Sequence, residues 1–160
     1  MRMIASHGQA KKYIHSVIGC NSRLDTLQAA ILVVKLKYLT QYSQHRFNAA
    51  QVYNAGLKDI PGIIIPVQSK FSSHVYHQYT LKVLNGKRDK LKNYLQEFGI
   101  PSIIYYPLPL NEQDAFKSIS KIPCSLVNSI KLCNEVLSIP IDTEIERGTQ
   151  LHIIDCVRNF

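Results

Sequence analysis

Ile18-Gly19-Cys20-Asn21-Ser22-Arg23-Leu24-Asp25-Thr26-Leu27-Gln28-Ala29-Ala30-Ile31-Leu32 reads as a turn that becomes a helix. Gly19 permits a backbone bend that residues with a β-carbon resist. Asn21 or Ser22 can supply an N-cap oxygen, and Asp25, three past Ser22, makes a weak capping box. Leu24, Leu27, Ile31, Val34 and Tyr38 recur at three- and four-residue steps, which is one face of a helix. No proline interrupts Leu24 to about Lys58. The pattern therefore predicts one continuous helix, roughly 50 Å long at about 1.5 Å per residue. A small domain cannot bury such a helix alone, so it is expected to bridge to another domain or subunit. Pro61-Gly62 stops it. Asn21 and Arg23, donors at the positive end of this helix, suit a phosphate or a carboxylate.

Around that stretch lies a chain of 160 residues, enough for one domain with its own core. Apolar residues make up 46% and charged residues 19%, a globular rather than a disordered composition. No run of eighteen apolar residues is present, so no membrane span is expected. The opening Met1-Arg2-Met3-Ile4-Ala5-Ser6-His7 lacks the apolar core of a signal peptide. Cys20, Cys124, Cys133 and Cys156 show no C-x-x-C pair and no metal-like spacing. A reduced, cytoplasmic protein is the plain expectation. The net charge of +8 sits mostly in the front, where residues 1–110 hold fourteen Lys/Arg against four Asp/Glu. Those cations are scattered singly, without a stripe interleaved by aromatics or a nucleic-acid motif. A charged small ligand and a solvated surface account for them, and no specific nucleic-acid partner is expected.

Beyond the helix, Gly62 to Val67 reads as an edge strand or an extended connection bounded by prolines. Ser72-Ser73 marks a loop, and His74 to Leu84 a strand rich in β-branched and aromatic residues. Asn85-Gly86 is a turn, and Lys87 to Phe98 an amphipathic helix that Gly99 closes as a C-cap. Ile100 to Tyr106 reads as a second strand cut off by Pro107 and Pro109, followed by a loop to about Pro123. A helix from Leu126 to Val136, a short strand Leu137-Ser138-Ile139-Pro140 and a helix from Glu144 to about Val157 complete the chain. Residues 1–17 show no clear period. Strands alternating with helices give an α/β (α+β) small domain, a small sheet covered by helices. The division is expected at 60/61, with residues 1–60 forming a loop and the long interdomain helix, and residues 61–160 the small domain.

The chemistry-bearing residues each have a plainer account. From the residues alone, Asn21 is a helix cap and Arg23 a partner in a surface ion pair. Tyr105 and Tyr106 end a strand and enter a proline-stiffened loop, the kind of edge that lines a pocket. On a strand they face opposite sides, and without further information core packing is the safer reading for both. His74 and His77, three apart on a strand, also face opposite sides, so no metal site is assigned. Tyr76 and Tyr79 alternate likewise, and at least one is expected in the core. Cys20 is the sole cysteine near the polar helix start, where a thiolate would be favoured. No nucleophile–base pair can be argued from spacing, and no catalytic residue is assigned.

These pieces together resemble the DegT/DnrJ/EryC1/StrS family of pyridoxal phosphate-dependent sugar aminotransferases. The resemblance is carried, in order, by Ser6-His7-Gly8, the G-C-N-S-R-L-D-T-L-Q-A-A run from Gly19 to Ala30, and Tyr76-His77-Gln78-Tyr79. Arg88 with Leu91, Leu95 and Gly99-Ile100-Pro101 follows, then Tyr105-Tyr106-Pro107-Leu108-Pro109-Leu110 and Leu137-Ser138-Ile139-Pro140. The resemblance implies the C-terminal small domain of a fold-type I dimer whose active sites lie at the subunit interface. It implies that Asn21 reaches the cofactor phosphate of the partner subunit and that Arg23 lines that site near cofactor and nucleotide-sugar. Tyr105 and Tyr106 match an aromatic pair that approaches the substrate sugar. Asn111 after Pro109-Leu110, where many relatives carry His, is similar to the branch that aminates UDP-linked 3-keto sugars in cell-surface polysaccharide biosynthesis.

The same resemblance implies pyridoxal 5'-phosphate as cofactor, not covalently bound here. The Schiff-base lysine and the carboxylate on the pyridine nitrogen lie, in the family, upstream of the segment that opens this chain. The expectation is thus the C-terminal half of an aminotransferase, inactive alone and partnered by a homo-oligomer or a separate N-terminal half. The alternative is an inactive remnant serving as a protein-interaction or regulatory module. In either case the apolar face of the long helix lacks cover, so the isolated chain is expected to dimerise or aggregate.

Overall fold

The computed structural model describes residues 1–71, 73–122 and 124–160. Ser72 of the expected Ser72-Ser73 loop and Pro123 of the later loop lie outside the described residues. The chain divides into two compact units, Met1–Thr40 and Gln41–Phe160. The expected division at 60/61 falls later, after the helix Leu39–Leu57 whose Ala50, Tyr53 and Leu57 belong to the core of the second unit.

Unit 1 starts with one helical turn, α1 (Arg2–Ala5), and a short hairpin of β1 (Gln9–Lys11) and β2 (Ile14–His15). The segment that precedes the next helix is laced back onto this start. Cys20 N–H donates to Ile4 O (2.9 Å), Ser22 N–H to Ala5 O (2.9 Å) and His7 N–H to Cys20 O (3.0 Å). Gly19 is needed here for close approach rather than for a bend. A β-carbon on it would lie 2.2 Å from the Gly8 nitrogen and 2.5 Å from Ile4 O.

Helix α2 spans Thr26–Leu36. Its N-cap is Asp25, whose carboxylate accepts from Leu27 N–H (2.8 Å) while the Gln28 side chain accepts from Asp25 N–H (3.4 Å). This is a full capping box, set three residues later than the Ser22/Asp25 pairing read from sequence. The expected single helix is two. Tyr38 N–H turns to Lys35 O (3.0 Å), a tighter i→i−3 bond that ends α2 before α3 (Leu39–Leu57) begins. Neither glycine nor proline marks the break.

In unit 2, β3 (Ile63–Ile64), β4 (Tyr79–Val83) and β5 (Val136–Ile139) form an antiparallel sheet in that order. The β4–β5 register runs Tyr79↔Ile139, Thr80↔Ser138, Leu81↔Leu137 and Lys82↔Val136. Tyr79, Leu81 and Val83 are buried on one face of β4, as period-2 alternation requires. They pack with Tyr53 and Leu57 of α3, Leu91 and Leu95 of α4 (Arg88–Glu97), and Ile153, Ile154 and Val157 of α7 (Arg147–Asn159). Helix α4 ends as expected at Gly99, with φ 71°. Gly99 N–H bonds Gln96 O (3.0 Å) and Ile100 N–H bonds Leu95 O (2.9 Å), a Schellman closure that delivers Ile100 to the core. Helix α6 (Val127–Glu135) leads into β5 near the expected positions.

Three expected strands are shorter than the sequence suggests, and of residues 62–67 only Ile63–Ile64 pairs. The run His74–Leu84 becomes ladder only at Tyr79, because Tyr76 takes a left-handed φ of 45°. Tyr76 and Tyr79 are consequently both in the core instead of alternating. Of Ile100–Tyr106, only Ile103 pairs, through Ile103 N–H to Ser138 O (3.0 Å) and Ser138 N–H to Ile103 O (2.9 Å). Pro101 and Pro107 flank this bridge and can donate nothing to a ladder. A 3₁₀ turn (Leu110–Glu112) and α5 (Asp114–Lys117) then occupy the expected loop.

Candidate functional sites

In unit 1, Asn21 and Arg23 come together. Arg23 Nε donates to Asn21 Oδ1 at 3.3 Å, and with Leu24, Asp25 and Thr26 they line a polar cavity of about 380 Å³. Asn21 is fixed by the backbone bridge between its residue and Ser6. Neither residue is the helix cap. The first amides of α2 are already engaged by the Asp25 carboxylate, which leaves an anion the Arg23 guanidinium and the Asn21 amide rather than the helix end. Unit 1 carries six Lys/Arg against Asp25 as its one carboxylate, so its field favours an anion despite that neighbour.

In unit 2, Tyr105 lines a separate cleft of about 190 Å³. Its walls are His77 and Gln78, Pro101 and Ile103, and the run Ser138-Ile139-Pro140-Ile141. Tyr106 is not among the lining residues. It is 76% exposed and holds a left-handed φ of 60°, while Tyr105 is 37% exposed. The two rings lie 6.5 Å apart. Neither is in the core; Ile104 packs inward instead. A bulky residue with positive φ is uncommon and costs about 1–3 kcal/mol, so the loop around Tyr106 is held by its surroundings.

The cleft floor is supported from beneath. Tyr53 Oη donates to Pro140 O (2.8 Å), Thr80 Oγ1 and Ser138 Oγ share a hydrogen bond (2.8 Å), and Tyr79 Oη donates to Asn54 Oδ1 (2.7 Å). Burial pushes the Tyr53 phenol well above its ordinary value, helped by the nearby Asp142 charge. Burial does the same for Tyr79, with Tyr76 and Tyr53 adding to it. Both therefore remain hydrogen-bond donors far beyond neutral pH.

The other singled-out residues have structural employment. Arg88 is buried, and its Nη1 donates to Cys133 O (3.0 Å) and Val136 O (3.4 Å) at the end of α6, where a cation is favoured. Its Nε lies 2.6 Å from Asp89 Oδ1 as an ion pair, off the line of a hydrogen bond. His74 Nδ1 accepts from Tyr76 N–H (2.9 Å) and its ring stacks on Tyr76, whereas His77 faces the cleft. Among the described residues no three His, Cys, Asp or Glu gather as a metal cluster. Cys20 is exposed. Among the described residues no helix is long and apolar enough to cross a membrane.

Sequence reasoning missed most of the cleft. His77 and Gln78 read as strand residues, Ser138 to Pro140 as the end of a strand, and Ile141 carries no reading at all. The one available signal was Pro140, which must end the β5 ladder and free its last residues from pairing.

The fold is that of an aminotransferase portion. It superposes on a DegT/DnrJ/EryC1/StrS aminotransferase from Brucella abortus with a TM-score of 0.89 and 38% identity, covering 99% of this chain and 42% of that one. The chain belongs to the DegT/DnrJ/EryC1/StrS aminotransferase family, whose model matches residues 1–158. It is 38% identical to the UDP-2-acetamido-2-deoxy-3-oxo-D-glucuronate aminotransferase of Pseudomonas aeruginosa, over 93% of this chain and 40% of the relative. It is 34% identical to the dTDP-3-amino-3,4,6-trideoxy-alpha-D-glucose transaminase of Streptomyces venezuelae, over 100% of this chain and 42% of the relative. The chain thus spans about two-fifths of the length of the curated relatives it matches.

Proposed function

We propose that the chain is the C-terminal portion of a pyridoxal phosphate-dependent aminotransferase acting on a nucleotide-linked keto-sugar. The family match over residues 1–158 carries this reading. The donor set fits part of the cofactor. Asn21 and Arg23 offer an amide and a guanidinium to a phosphate, and no lysine lines their cavity. When bound, pyridoxal phosphate supplies the electron sink and the carrier for the amino group. In this reading Asn21 and Arg23 hold the phosphate of the cofactor in a neighbouring subunit, and the guanidinium also faces the nucleotide-sugar. The unit 2 cleft, with Tyr105 and Gln78 on its walls, receives the sugar, while exposed Tyr106 closes over it from outside. A UDP-linked sugar is favoured over a dTDP-linked one by Asn111 after Pro109-Leu110, while the matched relatives include both kinds, UDP-type at 38% and 33% identity and dTDP-type at 34%. Unit 1, residues 1–40, completes the large domain and the subunit contact, which gives the apolar surface of α2 its cover.

Complementation tests this. The 160-residue chain is combined with a fragment of the Pseudomonas aeruginosa relative that lacks its own counterpart of this chain, and that relative's own counterpart serves as control. Amino transfer to a UDP-linked 3-keto sugar, lost in Arg23→Gln, is the expected result. Association without transfer, when the control pair is active, overturns the reading.

A further inference from the structure

The cleft of unit 2 exists because β4 and β5 part company. Their ladder keeps a constant register, which carried past Tyr79↔Ile139 would set Gln78 opposite Pro140 and then His77 opposite Ile141. The His77–Ile141 rung does not form; instead both residues line the cleft. Between the parted strands sits one side chain from α3. Arg46 Nη1 donates to both carbonyls that the missing rung leaves over, His77 O at 3.3 Å and Ile141 O at 3.1 Å. The adjacent His45 Nδ1 lies 3.0 Å from Thr143 O, and Tyr53, about two turns beyond Arg46 on the same face of α3, holds Pro140 O.

We propose that Arg46 is the positioning residue of this cleft: its guanidinium bridges His77 and Ile141 and sets the distance between the walls. Two carbonyl oxygens facing one gap repel, and without a shared donor they would either close into a further rung or splay apart. Closing would remove Gln78 and His77 from the cleft, whereas splaying would release the Pro140 wall opposite Tyr105. Arg46 is not among the residues that line the cleft. A planar fork suits this task better than an ammonium, because its donors hold fixed directions. The consequence for ligand binding rests on the cleft being the sugar site proposed above; the bridge itself does not.

Amide hydrogen exchange and ligand titration of the 160-residue chain, followed by NMR, separate the two. In Arg46→Met, exchange at Tyr79 and Ile139 should rise about tenfold or more, the scale of losing hydrogen bonds from a charged donor. Exchange at Leu81 and Leu137, deeper in the same ladder, should stay within about threefold. Arg46→Lys should fall between. Uniform acceleration along the ladder, or none, overturns the proposal, since a merely stabilising arginine would act on the whole sheet. In the titration, UDP-N-acetylglucosamine should shift Ile103 and Tyr105 in the wild type, with affinity weakened about tenfold in Arg46→Met. Pyridoxine 5'-phosphate binding at Asn21 and Arg23 should be unaffected. A wild type that does not bind the nucleotide-sugar refutes the sugar assignment, while the exchange result still decides the role of Arg46.

Discussion

Residues 1–40 and residues 41–160 are built on different principles. Unit 2 has a core of three tyrosines and a ring of aliphatic side chains, several without measurable exposure. In unit 1, Gly8 is the single buried residue among those described. Its α2 helix is apolar nearly all round, yet Leu27 is 71% and Ile31 52% exposed. A helix of that composition normally lies inside a protein. Unit 2 is therefore held by burial, and unit 1 by a lacing of backbone hydrogen bonds. The chemistry follows the same division. The cleft of unit 2 rests on a hydrogen-bonded floor, whereas the Asn21/Arg23 cavity sits on a unit with almost no buried side chain.

The largest test of that contrast is truncation of equal side chains in the two units. Leu95→Ala in α4 removes a fully buried side chain and should cost about 2–5 kcal/mol in denaturant unfolding. Leu27→Ala in α2 should change the same measurement by less than about 0.5 kcal/mol. Equal costs would show that α2 is already covered, and the two units would then be one.

The second test concerns the floor of the cleft and the alkaline limit of unit 2. Unfolded tyrosines ionise near pH 10. In the folded chain, burial holds Tyr53 and Tyr79 protonated to higher pH. The unfolded state thus releases protons first, so this stability is complete below about pH 10 and is lost as pH rises through the folded values. Each tyrosine adds a slope of up to about 1.4 kcal/mol per pH unit in that window. Tyr53→Phe should lower stability at pH 7 by about 0.5–1.5 kcal/mol through the bond to Pro140 O, and make the alkaline decline shallower. Unfolding curves from pH 7 to 12 measure both. An unchanged alkaline slope would mean that Tyr53 ionises freely in the folded chain.

How much of this was legible depended on the range of the interaction. Gly99, Asn85-Gly86 and the 126–139 helix–strand unit were readable because each rests on residues a few positions apart. The α2–α3 break was not, since Lys37-Tyr38 carries no glycine or proline and the chain turns by tightening one hydrogen bond. Ile100–Tyr106 has the composition of a strand, but flanking prolines confine its pairing to Ile103. Tyr76 and Tyr106 adopt left-handed backbone, which no local pattern announces for tyrosine. The Asn21/Arg23 pairing was within reach of a motif, because the two residues are neighbours in sequence. The cleft around Tyr105 was not, for its walls come from segments near residues 77, 103 and 140. Arg46 was the least visible of all, as the carbonyls it bridges lie 31 and 95 residues away.

The smallest expected effect is the most informative about the unit 1 cavity, where Asp25 has two opposed roles. Its carboxylate caps α2 through Leu27 N–H, and its charge stands beside Arg23 on the wall of a cavity suited to an anion. Asn caps a helix about as well as Asp, so Asp25→Asn keeps the first role and removes the second. Charges at such exposed helix ends are worth about 0.3–1 kcal/mol, which corresponds to roughly two- to fivefold in affinity. Pyridoxine 5'-phosphate, which lacks the aldehyde that would react with lysines, should bind Asp25→Asn tighter by that factor and Arg23→Gln more weakly. Helix content should be equal in wild type and Asp25→Asn, which keeps the comparison electrostatic. Weaker binding in Asp25→Asn at unchanged helix content would place the carboxylate among the ligand's contacts. The cavity would then be one for a hydroxyl or amine donor, and the phosphate assignment to Asn21 and Arg23 would fall.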